Sequence, residues 1–141
     1  MDDKLIANTC YATRARRAAR HLSRMYDDAL RPHGIKVSQF SILVAASVSR
    51  GDATITELAD ELGLERSTLS RNLQPLERRG LVEIGEEQQH RSRQVLLTAQ
   101  GERLIEDAYG DWARVQDRAR GQLPIDESAI LGSLSALNAI T

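Results

Sequence analysis

At 141 residues the chain has room to bury one hydrophobic core but not two independent ones. Hydrophobic residues make up 41% and charged residues 28%, the balance of a soluble, helix-rich protein, and a net charge of −1 argues neither for nor against a polyanionic partner. No apolar run is long enough for a membrane span, the acidic Met1-Asp2-Asp3-Lys4 start lacks the order of a secretory leader, and the single Cys10 excludes an internal disulfide and fits the cytoplasm.

The first predicted element is a long helix from about Asn8 to Leu30. Ala15, Ala18, Ala19, Leu22, Met25, Tyr26, Ala29 and Leu30 recur at helical spacing, and Pro32-His33-Gly34 ends it. Arg14, Arg16, Arg17, Arg20 and Arg24 fill its other positions as a solvated face. A second helix starts at a Ser38 cap and runs to about Ser49, with Phe40, Leu43 and Val44 as its apolar stripe. Ala53-Thr54-Ile55 is long enough only for a strand fragment. Thr56 is placed as the cap of a third helix through Leu58, Ala59 and Leu62, which Gly63 ends.

A fourth helix follows from about Glu65 to Arg79, with Gly80 in the terminating position. Two β-prone runs, Leu81 to Ile84 and Gln94 to Leu97, flank a polar hairpin tip, Gly85 to Arg93. Thr98 caps a fifth helix, about Ala99 to Gly121, striped with Leu104, Ile105, Ala108, Trp112, Val115 and Ala119. Pro124 breaks it, and Asp126 caps a last helix carrying Ile130, Leu131, Leu134, Leu137 and Ile140. The fold class is therefore mainly α with a small β-hairpin. From Ile55 to Thr98 the order, two short helices at a tight turn and then a hairpin, is that of a winged helix-turn-helix.

The fourth helix carries the functional signal. At about 100° per residue, Leu69, Leu73 and Leu76 fall on one side, to be buried. Ser67, Arg71, Gln74 and Arg78 lie opposite, with Thr68 and Ser70 on the flanks and Arg66 at the start. Arginine can bond guanine at two points, glutamine can do the same with adenine, and serine or threonine can bond bases or phosphates. An ordinary surface helix also has a polar outer face; its position after a tight turn and before a wing favours double-stranded DNA. Pro75 costs this helix a backbone hydrogen bond, so a kink or an early change of helix geometry is expected there. In the hairpin tip, His90, Arg91 and Arg93 are the basic residues placed to reach a minor groove. Charge is polarised to match. Residues 66–79 hold four arginines against one acid, and residues 99–141 hold four against seven.

The run Thr56-Glu57-Leu58-Ala59, then Gly63 through Arg71, then Leu76-Glu77-Arg78-Arg79-Gly80-Leu81-Val82 resembles the core of MarR-family regulators. So does the wing's end, Arg91 followed by Leu97-Thr98 and Gly101. The resemblance covers nearly the whole chain as one MarR-like domain, 1–141. Its winged-helix core spans about 38–98, and its dimerisation helices about 8–31 and 99–141. It implies a homodimer whose first helix interlocks with the last two, and two recognition helices in successive major grooves of a pseudo-palindromic operator, roughly 34–36 Å apart. It implies a transcriptional regulator, most often a repressor relieved by a signal. The family's wing usually carries an Asp two residues before its minor-groove Arg; here Gln89 stands there, so Arg91 lacks a charged orienting partner.

The resemblance also implies a small aromatic, often anionic effector, for which Tyr11, Arg14, Tyr109 and Trp112 are the candidate contacts. The plainer reading of Trp112, on its helix's apolar stripe, is dimer core. Cys10 raises the alternative of a thiol-based oxidant sensor. Against it, the sensing branch places its cysteine closer to the tyrosine matching Tyr26 and has a second tyrosine where Val37 stands, so an inert, partly buried thiol is preferred. A winged helix used only for protein contacts is the competing class. No enzyme, cofactor or metal is expected: His21, His33 and His90 fall in separate elements, and there is no HExxH, GxSxG or glycine-rich phosphate loop.

Overall fold

The computed structural model describes residues 1–86 and 93–141. Two helices open the chain, α1 (Asp3–Thr9) and α2 (Tyr11–Leu30), followed by a 3-10 turn at Arg31–His33. Then come α3 (Val37–Ser49), α4 (Ile55–Leu62), α5 (Arg66–Arg78), the strands β1 (Val82–Ile84) and β2 (Val95–Leu97), and the helices α6 (Ala99–Gln122) and α7 (Glu127–Asn138). The mainly helical architecture with one antiparallel hairpin is the one expected. Val82 pairs with Leu97 and Ile84 with Val95. The Ala53–Ile55 fragment joins this hairpin: Thr54 bridges Gln94, the Val95 amide donates to Ala53 O at 3.1 Å, and the Ile55 amide to Arg93 O at 2.9 Å.

Several helix starts differ from expectation, each for a reason in the hydrogen bonds. The long first helix breaks at Cys10, whose backbone is extended (φ −65°, ψ 109°). The i to i−4 ladder nevertheless survives, with Cys10 N–H donating to Ile6 O and Arg14 N–H to Cys10 O, both at 3.1 Å. Helix α3 begins at Val37, not after a Ser38 cap, because Asp27 and Gln39 side chains accept from the Val37 and Lys36 amides at 2.8 and 3.1 Å. Helix α4 is capped by Thr54, not Thr56. Thr54 has the extended backbone a cap needs, and Glu57, three residues on, completes a capping box. Thr98 and Asp126 cap α6 and α7 as expected.

Helix α5 continues through Pro75 to Arg78 without the early change of geometry. Proline has no N–H to give the Arg71 carbonyl, but Arg71 is exposed, so water can take its place. The helix stops at Gly80, whose φ of +69° suits glycine. There the Leu81 amide donates to Leu76 O at 3.0 Å and the Gly80 amide to Glu77 O at 2.9 Å. This turn sends the chain directly into the wing.

The main core lies beneath that turn. Ile42 and Leu43 of α3, Leu58 of α4, Leu69, Leu73 and Leu76 of α5, and Leu81, Val82 and Val95 of the wing are each at most 2% exposed. A second cluster of Leu30, Ile35, Phe40 and Ala108 joins it to α2 and α6. Gly101 fixes α6 against the wing: a Cβ there would lie 2.3 Å from the Leu81 carbonyl oxygen. Helices α1 and α7, by contrast, bury no residue. Among the described residues no helix is long and apolar enough to cross a membrane.

Candidate nucleic-acid interface

Three leucines orient α5. Leu69, Leu73 and Leu76 are completely buried, which forces the opposite side of the helix outward. Arg66, Ser67, Arg71, Gln74 and Arg78 are exposed there, with Thr68 and Ser70 half-exposed on the flanks. The Thr68 hydroxyl lies 3.5 Å from Arg71 Nη2, and the Thr68 carbonyl accepts from Asn72 Nδ2 at 3.0 Å. No ion pair holds Arg71 or Arg78 among the described residues, so apart from the long Arg71 contact with Thr68 their guanidinium groups are available to an outside partner. The face is polar, cationic and without bulky apolar side chains.

Two arginines have other partners. Arg79, counted in the basic segment, donates to Gly34 O at 2.7 Å and His33 O at 3.2 Å, clamping the end of α5 to the turn after α2. Arg93, expected on the wing's DNA side, donates through Nε to Gly85 O at 2.6 Å, and its Nη2 lies 3.5 Å from Ile84 O, so it braces the base of the hairpin. Side-chain bonds to distant backbone carbonyls leave no periodic trace in a sequence, and both were missed for that reason. His90, Arg91 and Gln89 lie outside the described residues.

Between α3, α4 and α6 lies an apolar groove of about 480 Å³, lined by Phe40, Val44, Val48, Glu61, Tyr109 and Trp112 among others. Val44 was expected in the apolar stripe facing the core. It is 36% exposed and Val48 73%, while Phe40 and Leu43 are buried as expected, together with Ile42, Ala45 and Ala46. The Trp112 ring stacks with Tyr26 and Tyr109 at centroid distances of 6.5 and 6.0 Å. Tyr109 and Trp112 both line this groove, whereas Tyr11 and Arg14 do not. Arg14 instead joins Arg17, Arg20, His21 and Arg24 along an open cationic groove beside α1, where its Nε donates to Asn8 O at 2.8 Å.

Below that groove a polar network ties three helices together. The Tyr26 hydroxyl donates to Gln116, Gln116 Nε2 donates to Glu127 at 2.9 Å, and Arg120 grips both Glu127 oxygens at 3.0 and 3.1 Å. The Arg120 and Gln116 hydrogen bonds hold the Glu127 carboxyl below its ordinary range, and burial raises the Tyr26 phenol. Cys10 is half-exposed, and the Thr13 hydroxyl and amide beside its sulfur lower the thiol's pKa. Among the described residues no cluster of His, Cys, Asp and Glu could hold a metal.

A buried-leucine helix presenting arginine, glutamine and hydroxyls, set between a tight turn and a hairpin, defines a winged helix-turn-helix protein of the DNA-binding class. The family model described as "MarR family" matches residues 33–92. The chain is similar to the transcriptional regulator MosR of M. tuberculosis, with 36% identity over 93% of this chain and 94% of that one, and a TM-score of 0.83. It is similar too to MosR in complex with DNA, at 36% identity over 91% of this chain and 92% of that one, with a TM-score of 0.82. A mutant MarR of E. coli complexed with operator DNA shares the fold, with a TM-score of 0.81 at 22% identity over 99% of this chain and 100% of that one. No curated protein matches the chain. The chain belongs to the MarR family of winged-helix transcriptional regulators.

Proposed function

We propose that this chain is a cytoplasmic homodimeric regulator, most simply a repressor, that reads a pseudo-palindromic operator with α5 of each copy in a major groove. The observation that carries the reading is the division of α5 into a wholly buried leucine side and an exposed side bearing Ser67, Arg71, Gln74 and Arg78. Arg71 and Gln74 are the base-reading residues, since both present paired hydrogen-bonding groups. Arg66, Ser67, Thr68, Ser70 and Arg78 hold the helix to phosphates and sugars. Arg91, with His90 next to it in sequence, reaches the minor groove from the wing, an assignment that rests on the basic composition of the hairpin tip and on the resemblance. Arg93 contributes by holding the base of the wing.

The homodimer is supported by the terminal helices. Leu5, Ile6, Leu131, Leu134, Leu137 and Ile140 are all 42% or more exposed. Helices with so much exposed apolar area and no buried residue need a partner surface, and a second copy presents the same one. The aromatic groove is the effector site, because its lining comes from α3 and α4 of the winged-helix core and from α6. A ligand there shifts the reading helix relative to the dimer helices.

Selection of bound sequences from a random duplex pool, followed by titration at several salt concentrations, tests this function. A palindromic consensus is expected, with log K falling against log salt at a slope of about −0.9 per phosphate neutralised. A protein that selects no sequence is a protein-contact module, and the reading fails.

A further inference from the structure

The aromatic groove carries charge of the same sign as the anionic ligands implied by the resemblance, and so disfavours them. Its only charged lining residue among the described residues is Glu61; the rest are apolar or aromatic apart from the Ser41 hydroxyl. Glu61 stands in the last turn of α4, where the helix carbonyls already place negative potential, and that turn carries no basic residue. No ion pair or hydrogen bond engages its carboxylate among the described residues. Across the groove stand Phe40, Tyr109 and Trp112, with Tyr109 61% exposed. The faces of such rings attract cations and repel anions. The cationic groove along α2, with Arg14, Arg17 and Arg24, is a separate place.

We infer that this groove takes a cationic aromatic or hydrophobic ligand, an organic ammonium or phosphonium ion, and discriminates against aromatic carboxylates. The inference rests on reading the groove as the effector site and adds the ligand's charge. The ligand's apolar body fills the space between Val44, Val48 and Phe40. Its cationic centre lies between the Trp112 ring and Glu61. An anion of the same shape meets the carboxylate, the carbonyl end of α4 and the ring faces with no positive group to offset them. The second possible occupant, an apolar segment of another copy, fits the exposed valines but leaves Glu61 unpaired.

Trp112 is the chain's single tryptophan and lines the groove, so it reports occupancy directly. The full-length protein, free of DNA, is titrated with tetraphenylphosphonium and with tetraphenylborate, near-isosteric ions of opposite charge, while Trp112 emission is followed. The phosphonium is expected to bind about tenfold more tightly than the borate. Glu61→Gln is expected to bring the two together, and Glu61→Lys to reverse them. Operator binding of both variants is measured alongside. Tighter binding of the borate by the unsubstituted protein overturns the charge assignment but keeps the groove as an effector site. Binding of neither ion, with operator binding intact, removes the groove from effector recognition and leaves the DNA reading standing. If Val48→Arg also turns a dimer into a monomer, a second copy occupies the groove and the inference is lost.

Discussion

Leu73 in α5 and Leu134 in α7 are the same side chain in helices of similar length, yet Leu73 is wholly buried and Leu134 is 51% exposed. The difference runs through the molecule. Between α3 and the wing, each helix buries one side in the core, a capping box starts α4, and Gly63 and Gly80 lie where α4 and α5 stop. At the ends, α1 and α7 are well capped but fill nothing. A capped helix of about a dozen residues is marginal in water without a packed face. The middle of the chain therefore packs a filled core that presents α5, whereas the ends leave their apolar side chains exposed, the surface that the proposed second copy covers.

The sharpest way to break this comparison is to shorten both leucines. Leu73→Ala is expected to cost about 2–5 kcal/mol of unfolding free energy, because three elements meet around it and cannot all collapse into the void. Denaturant titration at fixed protein concentration measures it. A loss below 1 kcal/mol would mean the α5 side of the core is loosely packed. Leu134→Ala is expected to leave the fold of the middle region intact.

Next in size is Leu134→Asp. A charge inside a dimer interface goes unpaired, so dimerisation is expected to weaken about a hundredfold or more. Sedimentation across a concentration series reads this directly, and operator affinity should fall with it. If the substituted chain still sediments as a dimer at the same concentrations, α7 lies outside the interface and its exposed leucines need another explanation.

Arg71 and Arg79 divide the same way on a smaller scale, one facing out and one facing in. Arg71→Ala is expected to cost about 1–3 kcal/mol at its contacted base and to relax preference there. Arg79→Ala removes the clamp on the His33 and Gly34 carbonyls and is expected to cost about 1 kcal/mol of stability with the base preference unchanged. An exchange of these phenotypes would show that the outward face of α5 has been misassigned.

The sequence showed most of the middle region and little of how the parts meet. The periodicity of Leu69, Leu73 and Leu76, the glycines after α4 and α5, and the caps Thr98 and Asp126 were each readable locally, because each acts within one or two turns. What escaped was set by distant partners. The Thr54 cap was passed over for Thr56, although Glu57 three residues after Thr54 was a local signal for it. The α3 start depends on Asp27, ten residues away. The break at Cys10 has no glycine or proline to announce it. Val44 and Val48 line a groove with α6 residues some sixty positions later, which no helical wheel of α3 reveals. Arg93 reads as one more DNA-facing cation, and Arg79 as part of the basic segment, because charge is visible in a sequence and a carbonyl partner is not.

The smallest expected effect concerns α4, the helix that leads through a tight turn into the reading helix. Thr54→Ala removes the hydroxyl that accepts from the Glu57 amide, an expected loss of about 1 kcal/mol. Glu57 answers it from the other side, its carboxylate accepting from the Thr54 amide at 2.8 Å and from the hydroxyl at 3.0 Å. Those bonds, the amide's first and the hydroxyl's second, hold its pKa below the ordinary glutamate range. A carboxyl lowered by folding contributes stability that is complete above its unfolded pKa and disappears as pH falls through the lowered folded value. Glu57→Gln keeps an acceptor for the Thr54 amide but cannot titrate. Its stability relative to the unsubstituted protein is therefore expected to rise as pH falls through the acid range, the gap closing from the acid side. Unfolding midpoints measured at stepped pH for the two proteins decide it: parallel curves would mean that the charge of Glu57 does nothing for α4.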